Sequence, residues 1–461
     1  MVQEDTISAI ATAVGDGGIG IIRISGIEAV HVADTLFRSV RNSRVSEITS
    51  HVATFGHIYD PVSKEIVDEV LLLVMRAPRS YTREDVVEIH CHGGALPLKR
   101  VLDLTIRAGA RMAQPGEFTK RAFLNGRMDL SQAEAVIDII RSKTEASLKM
   151  SVGHLTGVFS GKISAVRQEL LRLIAHLEAA IDFPEDDIEA IASADVADSV
   201  TLLIQEITNI LGTAQAGRIL RDGLKTVIIG KPNVGKSSLL NALLREKRAI
   251  VTDIPGTTRD IIEEYCNIDG VPLRIIDTAG IRETSDIVEK MGVEKAWEML
   301  EQADVALLIL DASMPLTQDD REIIDLIQKR KCIVLINKSD LTEVLEVKEV
   351  RDKLPDKPVI SISVLHGIGL EQVSQAIKDL VYSGQVSQGE AAFVNNIRHV
   401  DILEKTKSSL EEVMKTISNA MPPDCIVIDL RAAWQKLGEI TGETVNEDII
   451  DQIFSQFCIG K

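Results

Sequence analysis

An eight-residue stretch, residues 230–237, has the residue types and spacing needed to hold phosphate groups. Its sequence, Gly-Lys-Pro-Asn-Val-Gly-Lys-Ser, fits the pattern G-x-x-x-x-G-K-[ST]. Glycines let successive backbone N–H groups approach an anion, and a following helix adds the positive end of its dipole. Lys236 is expected to reach the β- and γ-phosphates, and the Ser237 hydroxyl is expected to ligate Mg²⁺.

The flanking segments predict the strand and the helix that such a loop requires. Residues 226–229 form a short apolar run typical of a buried strand, and residues 238–244 have the composition of a helix. A chance glycine-rich turn is the alternative. It is disfavoured because strand, loop, Lys-Ser pair and helix all occur together.

Three further motifs follow in the order that a GTP-binding domain requires. They are Gly-Thr-Thr-Arg-Asp at 256–260, Asp-Thr-Ala-Gly at 277–280 and Asn-Lys-Ser-Asp at 337–340. Asp340 can accept hydrogen bonds from both N1–H and the exocyclic amine of guanine, a donor pair that adenine lacks. The sequence therefore predicts GTP as the substrate. Residues 361–365 are expected to support the base, although Val364 stands where Ala is usual.

Each motif residue has an expected role at the nucleotide. Thr258 is expected to contact Mg²⁺ and the γ-phosphate, Asp277 to hold the Mg²⁺ shell, and Gly280 to donate to the γ-phosphate. The predicted nucleotide contacts are Asn233, Val234, Gly235, Lys236, Ser237, Ser238, Gly256, Thr257, Thr258, Asp277, Thr278, Ala279, Gly280, Asn337, Lys338 and Asp340.

The hydrolytic group is not where Ras-like enzymes keep it. They hold a water-positioning Gln after the second motif, whereas this chain has Ile281, which cannot orient water. Glu283, Asp286 or Glu289 could position the water instead. No arginine in the same chain obviously supplies positive charge, so a monovalent cation is an alternative. Asn233 offers a side-chain carbonyl for such a cation, but it is equally typical of a simple turn.

Length and composition limit the class of protein. The 461 residues predict two to four domains, and the net charge of −18 argues against a chain coated uniformly for nucleic acid. The five cysteines are scattered, which favours a reducing, cytoplasmic location. The acidic start at residues 1–5 does not resemble a signal peptide, and no apolar run is long enough to predict a membrane span.

The order of predicted elements suggests a multidomain α/β plus all-α protein. Residues 1–119 look mixed α/β, 120–220 helical, 221–383 an alternating P-loop domain, and 384–461 helical again. In the last segment we expect a helix over about 396–419, a stop at Pro422-Pro423, and two short helices up to Phe457. The economical architecture is a helical domain made of two separated segments, with a Ras-like P-loop domain inserted between them.

Two features of the N-terminal region have less specific interpretations. Residues 76–127 contain ten Lys or Arg and five Asp or Glu, a local excess of 10 − 5 = +5 in an acidic chain. This excess fits either a solvated face or an anion site. His90, Cys91 and His92 are adjacent, but neighbouring strand residues point to opposite faces. We therefore interpret them as core or loop residues and not as a metal site.

With these motifs in place, the chain resembles the MnmE (TrmE) family of tRNA-modification GTPases over nearly its full length. Four features carry the resemblance: the stretch 15–23, the phosphate loop with its two following motifs, the inserted-domain layout, and the C-terminal Phe-Cys-Ile-Gly-Lys at 457–461. The last feature is specific, because C-x-G-K at the end of a chain is not general among GTPases.

The resemblance implies roles for particular residues. It implies K⁺ ligands at Asn233, Thr252, Ile254 and Thr257, Mg²⁺ ligands at Ser237 and Thr258, and further nucleotide contacts at Asp253 and Pro255. Glu289 would orient the attacking water through a second water, with Lys236 and Thr258 as the other catalytic residues. The implied contacts to 5-formyltetrahydrofolate are Arg23, Glu88, Arg127 and Lys461.

The resemblance also implies partners and a reaction. The family's N-terminal domain forms a homodimer, and K⁺ promotes GTP hydrolysis where two G domains meet. With a flavin-dependent MnmG/GidA-type protein, in a heterotetramer or larger complex, the family adds a carboxymethylaminomethyl-type group at C5 of the wobble uridine of certain tRNAs. Cys458 falls on the family's terminal Cys, as either a nucleophile or a structural contact.

The sequence is also compatible with two other functions. One is a GTPase switch for ribosome assembly or transport, and the other is a folate one-carbon enzyme regulated by GTP.

Overall fold

The computed structural model describes residues 5–13, 15–182, 193–246, 264–276, 300–382 and 393–461. They divide into two compact units: the described residues of Met1–Ile137 and Gln435–Lys461 form the first, and those of Asp138–Thr252 and Arg259–Trp434 form the second. The multidomain α/β plus helical class is confirmed by two sheets and many helices. The finer domain boundaries at 119, 220 and 383 stay predictions.

The first unit contains a seven-stranded sheet in the order β3-β4-β5-β6-β2-β1-β7. Its strands are β1 (Ile7–Ile10), β2 (Gly17–Ser25), β3 (Phe37–Ser39), β4 (Ala53–Tyr59), β5 (Ile66–Met75), β6 (Val86–Gly93) and β7 (Arg111–Met112). The sheet is antiparallel except for β1 and β7. Alternation sets its faces: Val70, Leu72 and Val74 are buried, whereas Leu71 is 44% exposed.

Some helices of the first unit pack on its sheet, and others pack against the C-terminal residues. They are α1 (Ala29–Leu36), α2 (Ala95–Arg107), α3 (Glu117–Leu124), α4 (Leu130–Arg141), which crosses into the second unit, and α15 (Glu447–Ser455). Phe454 and Phe457 are buried in one apolar cluster with Ala122 and Leu130. A Cβ on Gly116 would lie 2.6 Å from the Phe454 carbonyl oxygen, so the contact requires glycine. The end of the chain is thereby anchored in the unit that contains its beginning.

The second unit contains a six-stranded sheet in the order β13-β12-β11-β8-β10-β9. Its strands are β8 (Leu224–Ile229), β9 (Glu264–Ile268), β10 (Val271–Ile275), β11 (Val305–Asp311), β12 (Cys332–Asn337) and β13 (Val359–Ser361). All neighbours are parallel except the β9–β10 hairpin, whose Asp269-Gly270 turn has φ of +48° and +94°. Apolar clusters cover both faces, as expected for a parallel sheet.

The helices of the second unit are α5 (Glu145–Leu155), α6 (Val158–Asp182), α7 (Ser193–Leu211), α8 (Ala214–Asp222), α9 (Lys236–Glu246), α10 (Gln318–Ile327), α11 (Val347–Lys353), α12 (Leu370–Tyr382) and α13 (Ile397–Ser418), with α14 (Pro423–Thr441) crossing into the first unit. One length differs from the prediction: α14 has 19 residues and is not short. Pro423 opens it because proline is compatible with a first helical turn.

The chain enters and leaves the second sheet side by side. Helix α8 leads into β8, and residues 393–396 follow the last described helix of the sheet, α12. Val394 N donates to Thr213 Oγ1 at 3.0 Å, and a Cβ on Gly217 of α8 would lie 2.2 Å from the Val394 carbonyl oxygen. The buried Asp138 of α4 accepts from Arg221 at 2.9 Å and from Asn395 at 3.0 Å. Entry and exit are therefore held together by short polar contacts.

Candidate functional site

The phosphate loop begins where β8 ends and leads directly into α9. Gly230 and Gly235 have φ of +148° and +106°. A Cβ on Gly230 would lie 2.4 Å from the Ile309 carbonyl oxygen, and one on Gly235 would lie 2.3 Å from Asn337 Nδ2. Neither position has room for a side chain, so the loop can curl tightly at the end of the strand. Asn233 also has a positive φ, of +64°, and is exposed.

Lys236 lies folded over this loop. Its ammonium donates to the carbonyl oxygens of Gly230 and Lys231 at 2.7 and 2.6 Å. Burial lowers the pKa of Lys236 because the ammonium has lost much of its hydration. An anion placed beside the ammonium would offset that cost. The loop thus supplies a partly desolvated cation beside two positions that only glycine can occupy, the arrangement that the sequence motif predicts.

The residues of the Asn-Lys-Ser-Asp motif connect the phosphate loop to the loop at 361–365. Asn337 Nδ2 donates to the Val234 carbonyl oxygen at 2.8 Å, and Asn337 Oδ1 accepts from Val364 N at 3.1 Å. Lys338 has a φ of +65°, and its ammonium lies 2.5 Å from Asp311 Oδ2. The Val364 contact uses only its backbone N–H, so Val in place of Ala leaves that contact intact.

Asp340 is fixed by the same loop. Ser363 Oγ donates to Asp340 Oδ1 at 2.5 Å, and this hydrogen bond is the main cause that lowers the pKa of the Asp340 carboxyl. His366 Nε2 lies 3.9 Å from Asp340 Oδ2. The group therefore stays ionised at neutral pH and can act as an acceptor for two N–H donors.

A second set of predicted residues comes together in the first unit. Arg23 on β2 lies directly opposite Glu88 on β6, and Arg23 Nε donates to Glu88 Oε1 at 2.8 Å. Both side chains are mostly buried, at 15% and 13% exposed. Arg23 also donates from Nη1 to the Gly460 carbonyl oxygen at 3.3 Å. Residues 437 positions apart in the chain are thus in direct contact.

Aromatic rings extend this cluster, and the sequence analysis did not identify them. The Arg127 guanidinium lies over the Tyr81 ring at 4.6 Å, and Arg127 Nη1 donates to the Tyr81 carbonyl oxygen at 3.1 Å. The Arg23 guanidinium lies 5.4 Å from the Tyr81 ring and 5.6 Å from the Phe118 ring. Tyr81 falls in the basic stretch 76–127, but nothing in the local sequence links it to Arg23.

The C-terminal residues complete the cluster. Phe118 N donates to the Lys461 carbonyl oxygen at 3.2 Å, and Gly116 N donates to that of Cys458 at 3.3 Å. Gly460 has a φ of +93°, and a Cβ there would lie 2.1 Å from the Ile10 carbonyl oxygen. Burial, assisted by Arg23, lowers the pKa of Lys461, whereas Glu88 and Cys458 oppose that shift. Three cations and one carboxylate therefore share this site, which favours an anionic ligand.

Two family models match the chain and together cover most of it. The model for the MnmE helical domain matches residues 130–458, and the model for the N-terminus of the GTP-binding protein TrmE matches residues 6–127.

The chain belongs to the MnmE family of tRNA modification GTPases.

Relatives named tRNA modification GTPase MnmE match it from end to end. The protein of Alkaliphilus oremlandii (strain OhILAs) is 50% identical over 100% of both chains, and that of Geobacillus kaustophilus (strain HTA426) is 51% identical over 100% of both. Among solved structures, the G domain of the T. maritima FeoB iron transporter is 28% identical, covers 34% of this chain and 97% of that one, and has a TM-score of 0.25. Because this TM-score is low, the family assignment is based on the sequence matches alone.

Several residues that the GTPase motifs or the MnmE resemblance predict to be functional lie outside the described part of the chain. They are Thr252, Asp253, Ile254, Pro255, Gly256, Thr257, Thr258, Asp277, Thr278, Ala279, Gly280 and Glu289. Their roles stay predictions. Of the described residues, the structure places Asn233, Val234, Gly235, Lys236, Ser237 and Ser238 on the phosphate loop or the start of α9, and Asn337, Lys338 and Asp340 beside it or beside the 361–365 loop.

The ten cations of the basic stretch 76–127 have different environments. Arg121 is 4% exposed and lies between Asp5, Glu84 and Glu117, and Arg111 pairs with Asp5 and Glu117. Only part of the stretch, Arg127, belongs to the second site. Six of the ten cations, Arg79, Arg83, Lys99, Arg100, Arg107 and Arg127, are exposed. The solvated face and the anion site therefore both stay predictions, whereas ion pairs account for Arg111 and Arg121.

His90, Cys91 and His92 lie on β6 and point to different surroundings. Burial raises the pKa of the Cys91 thiol to about 12, so it stays protonated. His92 Nδ1 lies 2.6 Å from Asp68 Oδ1, and His90 Nε2 lies 3.4 Å from Glu88 Oε2. Within the described residues no group of three or more His, Cys, Asp or Glu side chains is arranged to hold a metal ion. In the same part of the chain, no helix is long and apolar enough to cross a membrane.

Proposed function

We propose that this chain is a K⁺-stimulated GTP hydrolase that acts with a flavin-dependent MnmG/GidA-type partner on tRNA. The product would carry a carboxymethylaminomethyl-type group at C5 of the wobble uridine. The observation that carries the proposal is the convergence of Arg23, Glu88, Arg127 and Lys461 in a chain that also has the phosphate loop. A GTPase switch for assembly or transport has no need of such a cluster.

The nucleotide site fits a magnesium-bound triphosphate. Lys236 already donates to loop carbonyls, and the space beside Gly235 admits no side chain, which are the features of a phosphate cradle. Ser237 and Thr258 would hold Mg²⁺, which would neutralise charge on the β- and γ-phosphates. Asp340 and Asn337 would select the guanine base, and Glu289 would orient the attacking water.

The second site fits a reduced folate such as 5-formyltetrahydrofolate. Glu88 uses Oε1 for Arg23, and its Oε2, which lies 3.4 Å from His90 Nε2, has a second lone pair that can accept from an N–H group of a pterin ring. Arg127 and Lys461 would attract the carboxylates of the glutamate tail. The half-buried Tyr81 ring, which already contacts both guanidinium groups, supplies flat apolar surface beside them, whereas Phe118 is fully buried and supports Arg23 from within.

Homodimer formation is supported by exposed apolar side chains on the first unit's sheet. Phe55 on β4 and Leu71 on β5 are cross-strand partners, and they are 46% and 44% exposed. Ile66 on β5 and Val52 just before β4 are 57% and 49% exposed. An apolar cross-strand pair that is left exposed on a sheet is compatible with a protein interface at that sheet. A homodimer would also allow two G domains to meet across K⁺.

The reaction can be tested on tRNA nucleosides from cells that lack this protein. Mass spectrometry should show loss of the carboxymethylaminomethyl-type wobble nucleosides, and expression of the wild-type chain should restore them. The Lys236→Ala variant should not restore them, because the triphosphate would lose its ammonium contact. An unchanged nucleoside profile in the deletion strain would refute the proposed reaction.

Potassium dependence tests the role of Asn233. GTP hydrolysis is expected to be at least about tenfold faster in K⁺ than in Na⁺ of equal ionic strength, because the cation would replace an arginine finger. Asn233→Gly is the informative variant, since glycine accepts the φ of +64° but offers no side-chain carbonyl. We expect it to abolish K⁺ stimulation. Full stimulation in that variant would show that Asn233 is only a turn former.

A further inference from the structure

A cavity of about 330 Å³ lies in the second unit, away from the phosphate loop. Its walls include Leu224 and Val305, the first residues of β8 and β11, and Lys331, which precedes β12. The phosphate loop follows the opposite, carboxyl end of β8. A ligand in this cavity would therefore not compete with GTP for space.

The charged side chains that line this cavity are mostly basic. Arg218, Lys329, Arg330 and Lys331 line it together with a single carboxylate, Asp304. Both oxygens of that carboxylate are engaged. Arg218 Nη2 donates to Asp304 Oδ1 at 2.7 Å, and Lys225 N donates to Asp304 Oδ2 at 3.1 Å. The Asp304 carboxylate is thus already committed to Arg218 and the backbone.

The two lysines have no counter-charge of their own. Across the described ranges, neither Lys329 nor Lys331 has an ion pair or a side-chain hydrogen bond, and both are exposed. Their backbone is nevertheless fixed. Arg330 N donates to the Ile327 carbonyl oxygen at 2.9 Å, and the Lys331 carbonyl oxygen accepts from Ala306 N at 3.0 Å. Three consecutive cations are therefore held at one concave place in a chain with net charge −18.

We propose that this cavity binds backbone phosphates of the tRNA substrate. Adjacent lysine and arginine side chains repel one another unless an anion lies between them, and phosphate is the anion that both bind well. Exposure of Lys329 and Lys331 leaves the site open to a macromolecule. An otherwise acidic chain must bind RNA through local basic surface of this kind. The proposal rests on the proposed tRNA function.

The test is the salt dependence of tRNA binding by the full-length, GDP-bound chain. Unmodified tRNA transcript is titrated in NaCl from about 50 to about 200 mM. Lys329→Gln/Lys331→Gln is expected to lower affinity about tenfold and to make the slope of log K against log[salt] shallower by about 2, one for each lost phosphate contact. Lys329→Arg/Lys331→Arg should keep wild-type binding.

The control is a matched pair elsewhere in the same unit. Lys348 and Arg351 on α11 are exposed, and Lys348→Gln/Arg351→Gln removes the same charge. Equal loss in both pairs, or no loss in the Lys329/Lys331 pair, would overturn the proposal. The proposal would also be overturned if inorganic pyrophosphate bound through Lys329 and Lys331 without displacing tRNA, because that result assigns the cavity to a small anion. The proposal is supported if pyrophosphate displaces tRNA from the wild-type protein but not from the Lys329→Gln/Lys331→Gln variant.

GTP hydrolysis separates this inference from the proposed function. The Lys329/Lys331 variant should hydrolyse GTP at the wild-type rate, because the cavity lies at the other end of β8. Normal hydrolysis with unchanged tRNA affinity would refute the cavity alone. Absence of GTP hydrolysis in the wild type would refute the proposed function itself.

Discussion

Asp340→Asn is expected to weaken GTP binding by about 100-fold or more and to shift preference towards xanthosine triphosphate. Replacing the Asp340 carboxylate removes two charge-assisted hydrogen bonds that it would accept from guanine. Together they are worth about 3–6 kcal/mol. The Asn amide would also direct an N–H group at the guanine amine. Two donors would then face each other without an acceptor. Xanthine has a carbonyl at that position, so an amide fits it. Competition binding of the two triphosphates measures the shift.

The control for this prediction is a remote acid with the same charge change. Asp352 on α11 is exposed, and Asp352→Asn should leave both affinities unchanged. Ser363→Ala should weaken GTP binding less than Asp340→Asn, because Ser363 acts by holding Asp340 through its 2.5 Å hydrogen bond. An Asp340→Asn protein that still prefers GTP would refute the assignment of Asp340 to the base.

Arg23→Gln is expected to lower the affinity for 5-formyltetrahydrofolate by about 30-fold or more while leaving GTP affinity unchanged. Removing one partner of a mostly buried ion pair costs about 2–5 kcal/mol, and here it also leaves Glu88 without its 2.8 Å contact. The carboxylate that should accept from the pterin ring is then no longer held in place. Isothermal titration with each ligand separates the two sites.

Arg41→Gln is the matched control, since Arg41 is an exposed arginine of the same unit. Thermal melting identifies any general loss of fold. Arg23→Lys provides a second variant that keeps the charge but loses the guanidinium geometry, and it should bind folate with intermediate affinity. Wild-type folate binding by a folded Arg23→Gln protein would contradict the proposed site. Absence of folate binding by the wild-type protein would favour a GTPase switch without a folate function.

The nucleotide loop was accessible to sequence analysis because its geometry is local. Gly230, Gly235 and Lys236 lie within one turn between a strand and a helix, so their spacing alone constrains where their backbones can go. The strand β8 was likewise evident as an apolar run, because a parallel sheet buries both faces. The 19-residue length of α14 was not predicted, since Pro422-Pro423 indicated a break and not the start of a long helix.

The second site depended on contacts that no local pattern specifies. Tyr81 and Phe118 were not predicted, because their contacts with the guanidinium groups depend on where Arg23 and Arg127 lie in space. The environments of the cations in the basic stretch 76–127 also depend on tertiary structure. Charge counted along a chain does not reveal that Arg121 is buried among three acids.

The sequence by itself predicted a phosphate loop and a guanine-selecting aspartate in one chain, since each motif is contiguous. It also determined the family, through motifs and a specific C-terminus. Only the tertiary structure decided that Arg23 faces Glu88, because strand register fixes which residues are opposite. The same holds for Gly460, which reaches Arg23 only when the C-terminal helix packs on the first unit. Long-range packing, which local spacing does not encode, therefore assembled the second site.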